Sequence, residues 1–282
     1  MTSHFVTLAG VRLHYLQAGA EGPTLLLLHG TALDSARLTY GAFIERLAEG
    51  RRVIALDWPG YGDSDKPPLE YSTTFYTDIL KAFIDYLELA PLDIAAFSMG
   101  GAVALGFALE HPELVERLIL ISSYGLGGTV HAPLLPRMLL RLPFVTDLAW
   151  RTLKHSRFLL GFFLRRFVFG SARRVTPPLV DEVRKELEVE GLQAAFLTWL
   201  RREVGHLRLS TNHRRELQRL DLPVLLLHGS RDLIIPAYRS WRAAKLLPNA
   251  QLHILRGYGH WTPREAPETV LAAIENFLGS KK

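Results

Sequence analysis

Ser98 is the residue whose sequence surroundings point most directly to chemistry. It follows the apolar run 92–97 and precedes a Met-Gly-Gly sequence, after which a helix-like stretch begins at once. A strand that runs into a sharp turn, with a helix leaving directly behind it, presents a nucleophile at the edge of a sheet. Small neighbours suit such a turn because the strand and the helix pass close together. The pattern predicts a nucleophilic serine, with Ala96 where the usual Gly-x-Ser-x-Gly pattern has its first glycine.

A base and an acid follow later in the chain. A serine hydroxyl is a poor nucleophile at neutral pH, so it needs a base, and the base needs an acid that orients it. Asp232 follows the apolar run 222–227, and His260 lies in a Gly-rich loop after the run 251–255. Each residue lies just beyond a predicted strand, where open α/β sheets place their chemistry. The chain order of serine, acid and histidine therefore predicts a catalytic triad of Ser98, Asp232 and His260.

Five separated motifs together resemble those of the α/β-hydrolase fold family, in the order in which that family carries them. The resemblance covers nearly the whole chain. It implies an α/β fold with a mostly parallel eight-stranded sheet, helices on both faces and an inserted helical cap. The motifs are His29-Gly30-Thr31, Asp57 to Asp65, Ser98-Met99-Gly100-Gly101, His228 to Asp232 and Gly259-His260-Trp261.

The resemblance also implies an oxyanion hole. One donor is the backbone N–H of Met99, directly after the nucleophile, and the other is expected from the N–H of Thr31. The Thr31 hydroxyl could add a third donor or could equally bond within its own loop. His29 and His228 are expected to be structural, and no pair of histidines or carboxylates has the spacing of a metal site. We expect Asp57 to brace its own loop. The glycine-containing loop of Asp57 has neither a Gly-Lys-Ser/Thr sequence nor a dinucleotide fingerprint, so no cofactor is expected.

The serine at the turn indicates acyl transfer to water, because relatives that open epoxides or remove halides use a carboxylate there. The first interpretation is a carboxylic ester hydrolase, similar to carboxylesterases and lipases, that forms an acyl-enzyme. One alternative is a carbon–carbon bond hydrolase of ring-cleavage products, which the Ser-Met-Gly-Gly and His260-Trp261 sequences resemble, although that subgroup usually has Asn where this chain has Phe97. Another alternative is a cofactor-free perhydrolase. A non-catalytic ligand-binding protein of the same fold is a hypothesis of a different class, and the complete triad argues against it.

Hydrophobic periodicity predicts a core interrupted by one insertion. Three strands are expected within residues 4–30 and five more at 52–56, 94–97, 118–122, 222–227 and 251–255. No strand pattern occurs between residues 124 and 212, where apolar-basic helical patterns are broken by prolines. We therefore predict core segments at 1–122 and 213–282 with a helical cap at 123–212. A substrate pocket is expected to involve Trp261, Phe97, Phe162 and Phe163.

Composition and charge limit the partners. The net charge of +5 is unevenly distributed, since residues 123–215 hold 16 Lys or Arg and 7 Asp or Glu while the rest hold 17 and 21. A basic cap could contact an anionic membrane surface weakly or attract an anionic substrate. The basic residues are scattered and form no recognised nucleic-acid motif, so no nucleic-acid partner is expected. With no cysteine and no N-terminal signal pattern, we expect a cytoplasmic protein that acts on a small acyl ester.

Overall fold

An eight-stranded sheet forms the centre of the computed structural model, which describes residues 1–127, 142–205 and 209–279. The strand order is β1-β2-β4-β3-β5-β6-β7-β8. Strand β2 is antiparallel to both of its neighbours, and β4, β3, β5, β6, β7 and β8 pair in parallel. The predicted fold class and all eight predicted strands are confirmed. The strands are β1 (Thr2–Leu8), β2 (Val11–Ala18), β3 (Thr24–Leu28), β4 (Arg52–Leu56), β5 (Leu92–Phe97), β6 (Val115–Ile121), β7 (Val224–Gly229) and β8 (Ala250–Leu255).

Helices separate the parallel strands, as a right-handed crossover between such strands requires. The described helices are α1 (Ala36–Tyr40), α2 (Ile44–Leu47), α3 (Thr73–Tyr86), α4 (Met99–Glu110), α5 (Pro143–His155), α6 (Arg157–Phe163), α7 (Pro177–Leu187), α8 (Leu192–Glu203), α9 (Tyr238–Ala244), α10 (Thr262–Glu265) and α11 (Pro267–Gly279). No helix in these described ranges is both long and apolar enough to span a bilayer.

The central strands are apolar on both faces because helices cover both faces of the sheet. All six residues of β5 and all six of β7 are buried, as are four of the five in β3. Helix α4 is buried from Met99 to Ala108, which fits a helix that is hydrophobic all round. Strand β5 and helix α4 therefore form a rigid centre, and the turn between them carries Ser98.

Helices α5 to α8 lie between β6 and β7 in the chain. The carboxylate of Glu203, at the end of α8, accepts hydrogen bonds from the Thr73 hydroxyl at 2.6 Å and from the Tyr124 hydroxyl at 3.0 Å. Thr73 begins α3, so this buried carboxylate fastens the inserted helices to the sheet-bearing part of the chain. The cap boundaries of 123–212 stay a prediction, and residues 128–141 and 206–208 of that segment lie outside the described residues.

Ser98 has the backbone geometry of a strained turn. Its φ of 52° and ψ of −116° lie where a non-glycine residue is rarely found. Gly100, two residues later, passes so close to β3 that an added Cβ would lie 2.5 Å from the His29 carbonyl oxygen and 2.6 Å from that of Leu28. The turn is therefore held in place by backbone contact, which only a residue without a side chain permits at this position.

We expect Gly100→Ala to lower the free energy of unfolding by about 1 to 3 kcal/mol, because its Cβ would overlap backbone atoms that cannot rotate away. Gly106, in the same helix, is the matched control, since its nearest neighbours lie at 3.4 Å. Gly106→Ala should raise the free energy of unfolding by up to about 1 kcal/mol through helix propensity. Urea denaturation of the three proteins measures both effects, and destabilisation of equal size in both variants would contradict the packing argument.

Candidate active site

The structure brings the three predicted catalytic residues together. The Ser98 Oγ lies 3.0 Å from His260 Nε2, and His260 Nδ1 lies 2.7 Å from Asp232 Oδ2. All three side chains are buried. They follow β5, β7 and β8, whose carboxyl ends meet at one edge of the sheet. This hydrogen-bonded series can take the proton from a serine hydroxyl and stabilise the imidazolium that forms.

Asp232 is held as a carboxylate by its surroundings. Its Oδ1 accepts the backbone N–H groups of Ile234 and Ile235, each at 2.8 Å. Burial alone would raise the pKa of Asp232, but the rings of His260 and His228 and the hydrogen bonds that they make hold it well below its usual range. The acid therefore stays ionised and can keep His260 in the tautomer that leaves Nε2 facing the serine.

His228 supports the triad, although its predicted role was only structural. Its Nε2 lies 3.0 Å from Asp232 Oδ2 and 2.8 Å from the Ile235 carbonyl oxygen, while Nδ1 contacts the Ser240 hydroxyl at 2.7 Å. This ring thus helps to fix the same carboxylate oxygen that His260 contacts. Its position four residues before the acid in the same motif is the sequence signal that could have indicated the contact.

The loop that carries His260 is tied to the inserted helices by a second acid that sequence reasoning missed. The His260 N–H donates to the Val168 carbonyl oxygen at 2.7 Å. The buried carboxylate of Glu265 accepts the N–H groups of Gly259 at 2.6 Å and of Gly170 at 2.9 Å, and it pairs with Arg174 at 2.7 Å. The orientation of the histidine therefore depends on the segment that follows α6.

The predicted oxyanion donors flank Ser98. Met99 is the first residue of α4, where backbone N–H groups have no partner inside the helix. Thr31 lies in the wall of the cavity that contains Ser98. Its hydroxyl lies 2.6 Å from the Tyr61 hydroxyl in the loop after β4, so it contacts a different loop from its own. The role of this hydroxyl as a third oxyanion donor stays a prediction.

Asp34 shapes the loop that carries Thr31. Its Oδ2 accepts the Gly30 N–H at 2.7 Å, and its Oδ1 accepts the Thr39 hydroxyl at 2.6 Å. Thr39 in turn accepts the Trp261 indole N–H at 2.7 Å. A continuous series of hydrogen bonds therefore connects the loop after β3 to the residue beside His260, so that the two sides of the site are positioned relative to each other.

A cavity of about 850 Å³ opens above Ser98. Of the residues predicted to bind substrate, Phe97, Phe163 and Trp261 line it, and the Phe97 ring lies 5.1 Å from the His260 ring. The prediction for Phe162 is wrong, because its side chain is 53% exposed and does not line the cavity. Other apolar walls come from the inserted helices and from the loop after Asp232: Leu164, Val168, Phe196, Trp199, Leu200, Leu233, Ile234 and Ile235.

Besides the polar residues around the catalytic serine, three more polar side chains line the cavity and form what we call its polar part. Tyr124, Glu203 and Arg239 line it, and the glutamate is bonded to the Tyr124 hydroxyl and to the Thr211 N–H at 3.1 Å. Burial, with the charge of Glu203 adding to it, raises the pKa of Tyr124, so this hydroxyl stays protonated. The cavity can therefore hold an apolar group together with a polar or charged one.

One group of residues has the arrangement of a metal site. His14, Asp57 and Asp63 place ligand atoms within 4.8 Å of one another. However, His14 Nδ1 already bonds Asp57 at 2.7 Å, and the Asp57 carboxylate also accepts the N–H groups of Ala36 and Asp63. These bonds brace the loop after β4, which is the role predicted for Asp57.

Exposed aromatic rings lie on the outer face of α6. Phe158 and Phe162 are 76% and 53% exposed, and they are four residues apart on one helix face. Arg165 and Arg166 follow them and are exposed as well. Weak contact of this basic, aromatic region with an anionic membrane surface stays a prediction.

Glu186 of α7 is a titratable group where the inserted helices meet the core. Burial raises its pKa to about 7, with the nearby charge of Asp57 adding to the rise and Ser35 and Lys66 opposing it. Its Oε1 is buried with no hydrogen-bond partner in the structure. The charged form is thus poorly solvated, and the folded protein binds a proton here more tightly than the unfolded chain does.

Glu186→Gln should therefore change the pH dependence of stability. The pKa of Glu186 is about 4.5 in the unfolded chain and about 7 in the folded protein. Its protonation therefore stabilises the folded protein fully below pH 4.5, and this stabilisation is lost as the pH rises towards 7. Relative to the Gln variant, the wild type should lose about 1 kcal/mol or more of unfolding free energy across that window. Denaturation at pH 4.5, 6 and 8 measures the difference. Exposed Glu190→Gln is the control, and parallel curves for all three proteins would contradict the assignment.

Comparison with known proteins places the chain in a family. A family model described as alpha/beta hydrolase fold matches residues 23–267. The 2-hydroxymuconate semialdehyde hydrolase of Pseudomonas putida is 32% identical over 277 residues, which cover 96% of this chain and 92% of that protein.

Solved structures agree over the same length. A meta-cleavage product hydrolase from Pseudomonas fluorescens IP01 has a TM-score of 0.81 at 26% identity, covering 98% of this chain and 97% of that one. A membrane phospholipase A, a bacterial virulence factor, has a TM-score of 0.76 at 25% identity, covering 98% and 85%. The chain belongs to the α/β-hydrolase fold family.

Proposed function

We propose that this protein is a serine hydrolase that cleaves a carbon–carbon bond beside a ketone in a dienoic acid and releases a carboxylic acid. The observation that carries the proposal is the hydrogen-bonded series of Ser98, His260 and Asp232 at an apolar cavity. The 32% identity to a 2-hydroxymuconate semialdehyde hydrolase supports this bond type over the ester predicted first.

In the first step, the Ser98 Oγ attacks the ketone carbon and its proton passes to His260 Nε2. The oxygen of the tetrahedral adduct becomes negative and is stabilised by the backbone N–H groups of Met99 and Thr31. Asp232 stabilises the charged imidazole without taking the proton itself. The buried position of all three residues strengthens these interactions, because the local dielectric constant is lower than that of water.

Breaking a carbon–carbon bond imposes a further requirement. The leaving carbon takes the electron pair of the bond, so that pair must be delocalised. In a 2-hydroxy-6-oxo-2,4-dienoic acid, transfer of the enol proton to the carbon beside the 6-ketone gives a 2-oxo acid that can accept the pair. The departing dienolate then takes the proton from His260, and water attacks the acyl-Ser98 with the same histidine as base.

The cavity fits the two ends of such a substrate. Its apolar walls, including Phe163 and Trp261, suit the acyl group. Arg239 lines the polar part and supplies a cationic group for the carboxylate, since guanidinium and carboxylate form charge-assisted hydrogen bonds. A carboxylate in an apolar cavity without such a partner would be strongly disfavoured.

A carboxylic ester is the second candidate substrate. The residue before the nucleophile is Phe97, whose apolar ring packs on His260, and it adds no polar group to the site. An ester leaves as an alcohol that needs only a proton, so the triad and an apolar cavity are sufficient for its hydrolysis. This candidate requires no transfer of an enol proton.

Ser98→Ala and His260→Ala should each lower kcat by a factor of about 10⁴ or more, because members of a triad act as a unit. The matched control is Ser122→Ala, which removes another buried hydroxyl that has no hydrogen-bond partner in the structure. Steady-state kinetics on the best available substrate and circular dichroism on each variant provide the measurement. Activity of Ser98→Ala above about a tenth of wild type would contradict nucleophilic catalysis by this serine.

A direct comparison of two substrates tests the bond type. With 2-hydroxy-6-oxo-2,4-heptadienoate and 4-nitrophenyl acetate, we expect kcat/KM to be at least about tenfold higher for the dienoate. The decrease in absorbance of the dienoate substrate reports the first reaction, and the release of nitrophenolate reports the second. Turnover of the ester with none of the dienoate would replace the carbon–carbon proposal by the ester candidate, and turnover of neither would favour a binding protein.

A further inference from the structure

A second cavity, of about 580 Å³, adjoins the catalytic one and is strongly basic. Four arginines line it, two from the segment before β7 and two from α9. They are Arg214, Arg215, Arg239 and Arg242. Arg239 also lines the catalytic cavity, so the two cavities share this buried side chain as a common wall.

No acidic side chain from the described part of the chain lines this basic cavity. All its other lining residues in the described part of the chain are uncharged, and three of them, Tyr238, Asn212 and Gln218, carry hydrogen-bonding side chains. The guanidinium groups of Arg214 and Arg215 form no ion pair with described residues. The neighbouring Glu216 pairs instead with Arg219 at 3.4 Å, outside the cavity lining.

Some arginines elsewhere in the fold pair with acids. Arg117 pairs with Asp93 at 2.7 Å, and Arg174 pairs with Glu265 at 2.7 Å. Arg242, by contrast, lies over the Tyr238 ring at 5.0 Å and has no carboxylate partner among the described residues. Like charges gathered in one concave site repel each other, and a bound anion would remove that repulsion.

We propose that the basic cavity binds a phosphate group, carried by a ligand that is distinct from the scissile part of the substrate. A single carboxylate is matched by one guanidinium fork, whereas several forks and neutral donors suit a dianion with three or more acceptor oxygens. The volume is in the range of small-molecule sites, so it leaves room for the molecule that carries the phosphate. The proposal does not depend on which bond the triad cleaves, because it rests on Arg214, Arg215 and Arg242, which line the basic cavity and not the catalytic one.

Binding is tested directly, with pyrophosphate as the soluble probe. Isothermal titration should show saturable binding to the wild type, and affinity should fall about tenfold or more in Arg214→Ala/Arg215→Ala, which removes two charge-assisted contacts. Arg173→Ala/Arg256→Ala is the control with the same loss of charge, because both side chains are exposed and lie outside the two cavities. That variant should stay within about twofold of wild type, since a distant exposed charge is screened by salt.

Two further arms identify the source of the phosphate. Sedimentation with phosphatidic acid vesicles, against phosphatidylcholine vesicles, tests a lipid headgroup, and citrate tests a carboxylate ligand of similar charge. Selective binding of pyrophosphate or of phosphatidic acid, weakened in Arg214→Ala/Arg215→Ala, supports the proposal, and which of the two binds distinguishes a soluble ligand from a lipid. Binding of neither, equal binding by the two double variants, or citrate binding as tightly as pyrophosphate would overturn it.

Discussion

The buried carboxylate of Glu265 joins the two parts of the chain that must meet for the site to exist. It accepts the N–H group of Gly259, beside the catalytic histidine, and those of Gly170 and Ser171 in the segment after α6. An ionised carboxylate has two oxygens that both accept hydrogen bonds, whereas the amide of a glutamine has only one. Replacing Glu265 by glutamine would therefore lose some of these contacts. The inserted helices and the histidine loop are therefore ordered together.

The same contact explains why the glycines around it are required. An added Cβ on Gly259 would lie 2.3 Å from the Val168 carbonyl oxygen, and one on Gly229 would lie 2.0 Å from the Gly259 oxygen. Three backbone segments thus pass within contact distance, where any side chain would separate them. As a result, the loop after β7, which carries the acid, and the loop after β8, which carries the histidine, are kept at hydrogen-bonding distance.

The sheet and the triad could be predicted from sequence because both depend on local patterns. Apolar runs such as β5 and β7 are buried on both faces, and the chain order of the catalytic residues follows from the strand order. Phe162 could not be assigned this way. Adjacent residues on a helix point about 100° apart, so Phe163 faces the cavity while Phe162 shares the outer face with Phe158. Long-range partners, such as those of Glu265, leave no local pattern at all.

The buried acids show how surroundings decide what one functional group does. Asp232 has two backbone N–H donors and two histidine rings, and its pKa falls, so it stays charged and can support His260. Glu186 is half-buried, its buried Oε1 has no hydrogen-bond partner, and its pKa rises to about 7. Burial penalises the charge in both, and the difference lies in the two histidine rings that face Asp232. The loop after β7 contributes to catalysis through its backbone as well, because the N–H groups of Ile234 and Ile235 hold in place the carboxylate that these rings keep ionised.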